Sequence, residues 1–130
     1  MLNKLSLRTS QRVEFIDITK NVTEVIKKNK FSDGVCNIFI PHTTAGITIN
    51  ENADPSVVKD IINTMNNLIP FDGNYSHIEG NSAAHIKSSI FGHSLAIPVE
   101  DTRLLLGTWQ GIFFCEFDGP RTRNFIIKLI

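Results

Sequence analysis

The chain has 130 residues, 42% hydrophobic and 20% charged, with 13 basic residues balanced by 13 acidic ones. That length suits a single domain over residues 1–130, able to bury a core without disulfides or a structural metal. The neutral balance gives no electrostatic reason to expect nucleic acid or an anionic membrane as partner, and the composition excludes a disordered or fibrous chain.

The first segment, MLNKLSLRTSQR, lacks the continuous apolar core of a signal peptide, and no run approaches the ~18 apolar residues of a membrane span. A soluble, cytoplasmic protein is the expectation. Leu5 and Leu7 alternate with polar residues, and VEFIDI continues the extended character, so two strands joined by a turn near Ser10 and Gln11 are predicted. A helix follows with Thr19 as N-cap, Val22, Val25 and Ile26 at helical spacing, and Lys27, Lys28 and Lys30 at its C-terminal end.

Gly34 restarts extended structure, and VCNIFIP puts Val35, Asn37 and Phe39 on one face against Cys36, Ile38 and Ile40 on the other. Cys36 and Cys115 each lie inside an apolar run and read as buried, reduced thiols. GITINE is predicted as a strand. Asp54-Pro55 is a capping carboxylate before a proline at the first helical position, and Val58, Ile61, Ile62, Met65, Leu68 and Ile69 carry that helix to Pro70.

FDGNYSHIEG, residues 71–80, is turn-rich and reads as a loop. A short helix is predicted from about Ser82 to Phe91, with Gly92 ending it and Ala83, Ile86 and Ile90 forming its apolar stripe. SLAIPV, TRLLLG, TWQGIFFCEF and TRNFIIKLI read as strands, with DGPR turning the chain between the last two. Three helices among many strands, without regular βα alternation, predict an α+β fold.

Three groups of residues could carry chemistry. His42 stands at a strand end, His77 in the polar loop, and His85 on the polar side of the short helix; neutral imidazole is a good metal ligand. The spacing from His77 to His85 matches no recognised zinc signature, and on spacing alone surface histidines bonded to backbone carbonyls are the better reading. His93, after Gly92, reads as a turn residue. Glu79-Gly80-Asn81-Ser82 precedes a helix N-terminus that suits an anion, although Asn81 or Ser82 can simply be the N-cap.

In FFCEFDGPRTR, Phe114, Glu116 and Asp118 alternate with Phe113, Cys115 and Phe117. A hairpin turning at Gly119-Pro120 would set Asp118 against Arg121 and Glu116 against Arg123. Such pairs are either weak surface ion pairs or carboxylates holding an arginine for an oxyanion. No nucleophile elbow or phosphate-binding glycine loop is present.

PHTTAGITINENADP (41–55), YSHIEGNSAAHIKSSIFGHSL (75–95) and LLLGTWQGIFFCEFDGPRTR (104–123) together resemble the YjbQ family, also called secondary thiamine-phosphate synthases. The resemblance spans the chain. It implies one domain with a β-sandwich-like core and about three flanking helices, assembled as a homotrimer. It further implies a divalent metal, zinc or magnesium, on His42, His77 and His85. Glu79, Lys87, Glu116, Asp118 and Arg121 would be catalytic; Asn81, Ser82, Trp109 and Gln110 would bind substrate, with Glu51 nearby.

The activity the resemblance implies joins hydroxymethylpyrimidine diphosphate to thiazole phosphate with release of pyrophosphate. Lys87, Arg121 and the metal would hold the leaving group, and Trp109 would stack on a flat ring. The alternatives are a metal-assisted hydrolase or lyase on another small metabolite, or a non-catalytic trimer binding a metal or anion.

Overall fold

The computed structural model describes residues 2–130. Among them the elements run β1 (Leu2–Arg8), β2 (Glu14–Asp17), α1 (Thr19–Lys28), β3 (Asp33–Phe39), β4 (Ala45–Glu51), α2 (Pro55–Leu68), α3 (Ser82–Phe91), β5 (Ser94–Glu100), β6 (Arg103–Leu104), β7 (Gln110–Glu116) and β8 (Thr122–Leu129). They build two antiparallel sheets, ordered β1-β8-β3-β5-β6 and β2-β7-β4.

Strand alternation decides what the sheets enclose. Cys36, Ile38, Ile97, Val99, Phe125, Ile127 and Leu129 of the five-stranded sheet meet Ala45, Ile47, Ile112 and Phe114 of the three-stranded one, with Val22, Val25 and Ile26 of α1 packed beside them. Each fully buried Ile or Phe in this layer contributes roughly 1.5–3 kcal/mol. The opposite face of β7 carries Phe113 and Cys115, which with Phe117 pack on Ala84 and Phe91 of α3, Phe15 of β2 and Val58 of α2. Thus β7 is covered on both faces. The architecture is the expected α+β sandwich with three helices.

Four local expectations are corrected. The predicted hairpin between β7 and β8 does not form, because there the chain crosses from one sheet to the other, as it also does between β1 and β2. A strand buried on both faces belongs in the middle of its sheet, and β7 takes that place between β2 and β4. TRLLLG supplies only the two residues of β6, after which the Gln110 side chain accepts the Gly107 N–H at 2.7 Å and bends the chain away.

Thr19 is the first residue of α1, not its cap. Its hydroxyl donates to Asp17 Oδ1 at 2.6 Å and accepts the Ile112 N–H at 2.9 Å, tying the helix start to β7. On α3 the buried residues are Ala83, Ala84, Lys87 and Ser88, while Ile86 and Ile90 stand exposed. Small side chains let α3 lie close on β4, and that close approach sets which face turns inward. Asp54 caps α2 as predicted, accepting the Ser56 N–H at 2.9 Å ahead of Pro55.

Gly34 has φ +142, and a Cβ there would lie 2.3 Å from the Ile130 carbonyl oxygen, which accepts the Val35 N–H. Gly34→Ala is therefore expected to destabilise by roughly 1–3 kcal/mol from overpacking, with backbone strain added. Urea denaturation measures it, and an unchanged midpoint would show that this end of β3 can move aside.

Candidate functional site

β3 stops at Phe39, paired with Ile126, and Pro41 has no N–H with which to extend the ladder. His42 fills the gap: its Nε2 accepts the Asn124 N–H at 2.9 Å. The imidazole thus stands where a strand carbonyl would, at the mouth of a pocket of about 640 Å³. The pocket lies where the β3–β4 connection, the start of α3, and the β7–β8 connection meet. Its wall includes His42, Thr44, Glu79, Asn81, His85, His93, Asp118, Arg121 and Arg123.

Accepting a backbone N–H fixes the proton arrangement on His42. A neutral imidazole has one lone pair, so Nε2 as acceptor makes Nδ1 the N–H. Burial pushes the His42 pKa below its usual value, and the Arg123 guanidinium pushes the same way. The ring is therefore a neutral Nδ1–H donor.

Behind the pocket wall lies a buried charge network. The Glu116 side chain is 0% exposed and that of Arg123 6%. Arg123 Nε donates to Glu116 Oε1 at 2.9 Å, and Nη2 donates to Glu116 Oε2, to Thr44 Oγ1 at 2.8 Å and to the Thr44 carbonyl at 3.2 Å. Glu116 also accepts the Thr9 hydroxyl at 2.8 Å and the Asp118 N–H at 3.1 Å. Burial alone would raise the Glu116 pKa, but these hydrogen bonds and the Arg123 charge hold it below the ordinary carboxylate value. Nη1 of Arg123 makes no hydrogen bond within the described residues.

Arg121 is held from the front. Its Nε donates to the Asp118 carbonyl at 2.7 Å and Nη2 to Asp118 Oδ2 at 2.9 Å, with the side chain about half exposed at 54%. Asn81 Nδ2 donates to the same Asp118 Oδ2 at 2.9 Å. Asn81 occupies the N-cap position of α3, yet its side chain makes no capping bond, so its amide serves the pocket and not the helix.

The predicted site residues separate into three places. His42, Glu79, Asn81, His85, Asp118 and Arg121 line the main pocket. His77 and Ser82 line a second, mainly apolar hollow of about 370 Å³ with Tyr75 and Ile86, and His85 belongs to both walls. The His77 and His85 rings stand edge to face at 5.4 Å, and His77 Nε2 is 3.7 Å from Glu79 Oε2.

The remainder lie elsewhere. Glu116 is behind the wall, with both oxygens occupied. Lys87, 3% exposed, points to α2 and donates to Asn66 Oδ1, and burial pushes its pKa down. Glu51 and Gln110 are paired at the far end of the β4–β7 ladder from Ala45 and Glu116, and Trp109 stands exposed beside them. His93 and Arg123 also line the pocket; both lie within the motifs quoted above, His93 near the end of one and Arg123 at the end of another, where the sequence suggests a turn residue and a partner for Glu116.

The structure gives no geometric support, among the described residues, for a metal held by His42, His77 and His85 together. Among the described residues no three His, Cys, Asp or Glu side chains come together as a group able to hold a metal ion. The chemistry of His42 agrees, since its lone pair is spent on the Asn124 N–H and the remaining ring nitrogen carries a proton. The pocket is lined by donor-bearing side chains, His42, Arg121 and Arg123, beside the carboxylates of Glu79 and Asp118. No helix among the described residues is long and apolar enough to cross a membrane.

A family model described as UPF0047 protein YjbQ-like matches residues 3–130. The chain is 57% identical over 130 residues to a UPF0047 protein of Methanocaldococcus jannaschii, covering 100% of this chain and 94% of that one. It is 51% identical over 131 residues to UPF0047 protein YugU of Bacillus subtilis, covering 100% and 99%. A crystal structure of a YjbQ/UPF0047-family protein from Clostridium acetobutylicum superposes with a TM-score of 0.96 at 52% identity, covering 98% of this chain and 99% of that one. A YbjQ-like protein of unknown function from Sulfolobus solfataricus superposes with a TM-score of 0.95 at 30% identity, covering 99% and 95%.

Proposed function

The chain belongs to the UPF0047 YjbQ-like family, and on that premise we propose that it is an enzyme acting on a small phosphorylated substrate, with thiamine-phosphate formation as its reaction. One observation carries the reading: donor-bearing side chains from two distant segments, His42 after β3 and Arg121 and Arg123 at the start of β8, line one pocket. Preorganised donors of this kind stabilise charge as it develops on phosphate oxygens. A pocket of about 640 Å³ also suits one small substrate.

In the proposed reaction the bond between the pyrimidine methylene carbon and the diphosphate oxygen breaks, and pyrophosphate leaves with the electron pair. The thiazole ring nitrogen supplies the pair for the new C–N bond, so no net proton is needed. Arg121 and the His42 Nδ1–H bind the departing oxygens. Stacking on a flat heterocycle, first assigned to Trp109, falls better to the neighbouring hollow, where Tyr75 and His85 offer ring surfaces. Tyr75 is pinned there by its hydroxyl, which donates to the Pro70 carbonyl at 2.6 Å. No step is assigned to a resident metal or to Lys87.

Purified protein is given the diphosphate and the thiazole phosphate, with magnesium supplied as the counter-ion of the diphosphate. Pyrophosphate release that needs both substrates, with thiamine phosphate formed in equal amount, is the expected result. Cleavage of the diphosphate alone by water would point to a hydrolase instead, and binding without turnover to a non-catalytic anion-binding protein. A homotrimer belongs to the same proposal: Val35 and Phe39 stand exposed on β3, which supports association there, and sedimentation equilibrium measures it.

A further inference from the structure

The connection from α2 to α3, residues 69–81, holds neither helix nor strand, which is long for a link inside a compact domain. The same connection serves both cavities: Tyr75, Ser76 and His77 line the hollow, and Glu79 and Asn81 line the main pocket. Its two halves are held differently. In the first, the Arg12 guanidinium lies over the Phe71 ring at 3.7 Å, and the Tyr75 hydroxyl is tied to the Pro70 carbonyl. From Ser76 to Gly80, no hydrogen bond among the described residues ties the backbone to another part of the chain. A backbone without such ties opens at little cost in free energy, and segments that move on binding come from this end of the stability scale.

Two features give the second half a direction. Gly80 has φ +80 and open space where a side chain would stand, so the chain can turn there without a clash. Ile78 is 97% exposed, more than any other large apolar side chain among the described residues. Its neighbour Glu79 already stands on the pocket wall, so only a short movement separates Ile78 from the pocket. Water at the mouth weakens every electrostatic contact inside, and an apolar side chain drawn over a bound anion removes that water. We propose that residues 76–80 are a lid that closes over the bound anion, turning at Gly80 and laying Ile78 across the pocket mouth. This rests on the anion-binding reading above and adds a moving part to it.

Hydrogen exchange of the full chain, followed by mass spectrometry with and without saturating inorganic pyrophosphate, tests the movement, while calorimetric titration reads binding separately. In the free chain the amides of residues 76–80 are expected to exchange within about ten-fold of the rate of an unstructured peptide, and pyrophosphate is expected to slow them by at least about ten-fold. Ile78→Ser is expected to speed pyrophosphate dissociation about ten-fold, the factor for uncovering much of one isoleucine, with association changed by less than about two-fold. Ile78→Leu, which keeps an apolar cover, is expected to dissociate at the wild-type rate. Since Ile78 is exposed, both variants are expected to unfold at the wild-type temperature.

Pyrophosphate binding that leaves exchange across residues 76–80 unchanged, or dissociation unaltered in Ile78→Ser, would overturn the lid while leaving the anion site in place. Slow exchange of the same residues in the free chain would overturn it as well, because the segment would then already be covered, as a subunit contact would cover it. Failure to bind pyrophosphate would overturn both the lid and the function proposed above.

Discussion

Arg123→Met is expected to lower the unfolding free energy by about 3–5 kcal/mol. The reason is what the substitution leaves behind. Glu116 is fully buried, and of its four hydrogen bonds two come from Arg123. Without the guanidinium, the Thr9 hydroxyl and the Asp118 N–H remain as the partners of a carboxylate that has lost its counter-charge. An exposed ion pair would cost well under ~1 kcal/mol to break, because water takes over each partner; here no water reaches Glu116.

The pH dependence follows from the same asymmetry. In the wild type the Glu116 pKa is held below its unfolded value, so its contribution is complete above the ordinary glutamate pKa and is lost as pH falls through the folded one. In the variant burial dominates and raises that pKa above the unfolded value. Acidification then relieves the variant by protonating Glu116, and the gap between the two proteins narrows as pH falls. Glu116→Gln added to Arg123→Met is expected to recover a large part of the loss, since the uncompensated charge is gone. Guanidinium denaturation curves across pH check each point. A loss below ~1 kcal/mol would mean that the network is not sealed from solvent.

This network also marks what could be read from the sequence and what could not. The partnership of Glu116 with Arg123 and of Asp118 with Arg121 was legible from alternation and a turn, which are local. The burial of the first pair and the exposure of the second were not, because they depend on β7 and β8 joining different sheets. A hint was present: Ile112 and Phe114 alternate with Phe113 and Cys115, so both faces of that strand are apolar, as in a strand covered on both sides. Such a strand sits badly at the edge of a simple hairpin.

Helix ends were readable where the stop or start is written in the chain itself. Asp54-Pro55 and Gly92, with φ +90, are of that kind. The inward face of α3 was not, since Ala83, Ala84 and Ser88 win by being small enough for close approach to β4, and Lys87 is carried into the interior with them. Likewise His42 was legible as a site residue from its place after a strand. Its use of the ring's lone pair was not, because Asn124, the donor, is 82 residues away.

Arg121→Ala is expected to do the opposite of Arg123→Met: little to stability, much to binding. Its side chain is 54% exposed, and its ion pair with Asp118 is of the surface kind, so the change in unfolding free energy should stay within about 0.5 kcal/mol. Its Nε and Nη2 are anchored on Asp118, which leaves Nη1 and the second Nη2 hydrogen preorganised for an anion. Hydrogen bonds to charged groups are each worth about 1.5–3 kcal/mol, so losing the guanidinium should weaken binding of inorganic pyrophosphate by roughly 10–100-fold in calorimetric titration. Arg121→Lys should recover only part of this, because an ammonium cannot bond Asp118 and the ligand with the same fixed geometry. The wild-type affinity should also fall as salt rises, and that slope should flatten in Arg121→Ala. Unchanged pyrophosphate affinity in a stably folded Arg121→Ala would mean that the pocket's anion contacts come from Arg123 and His42 alone, and Asp118 would then have no ligand-directed reason to hold the guanidinium in place.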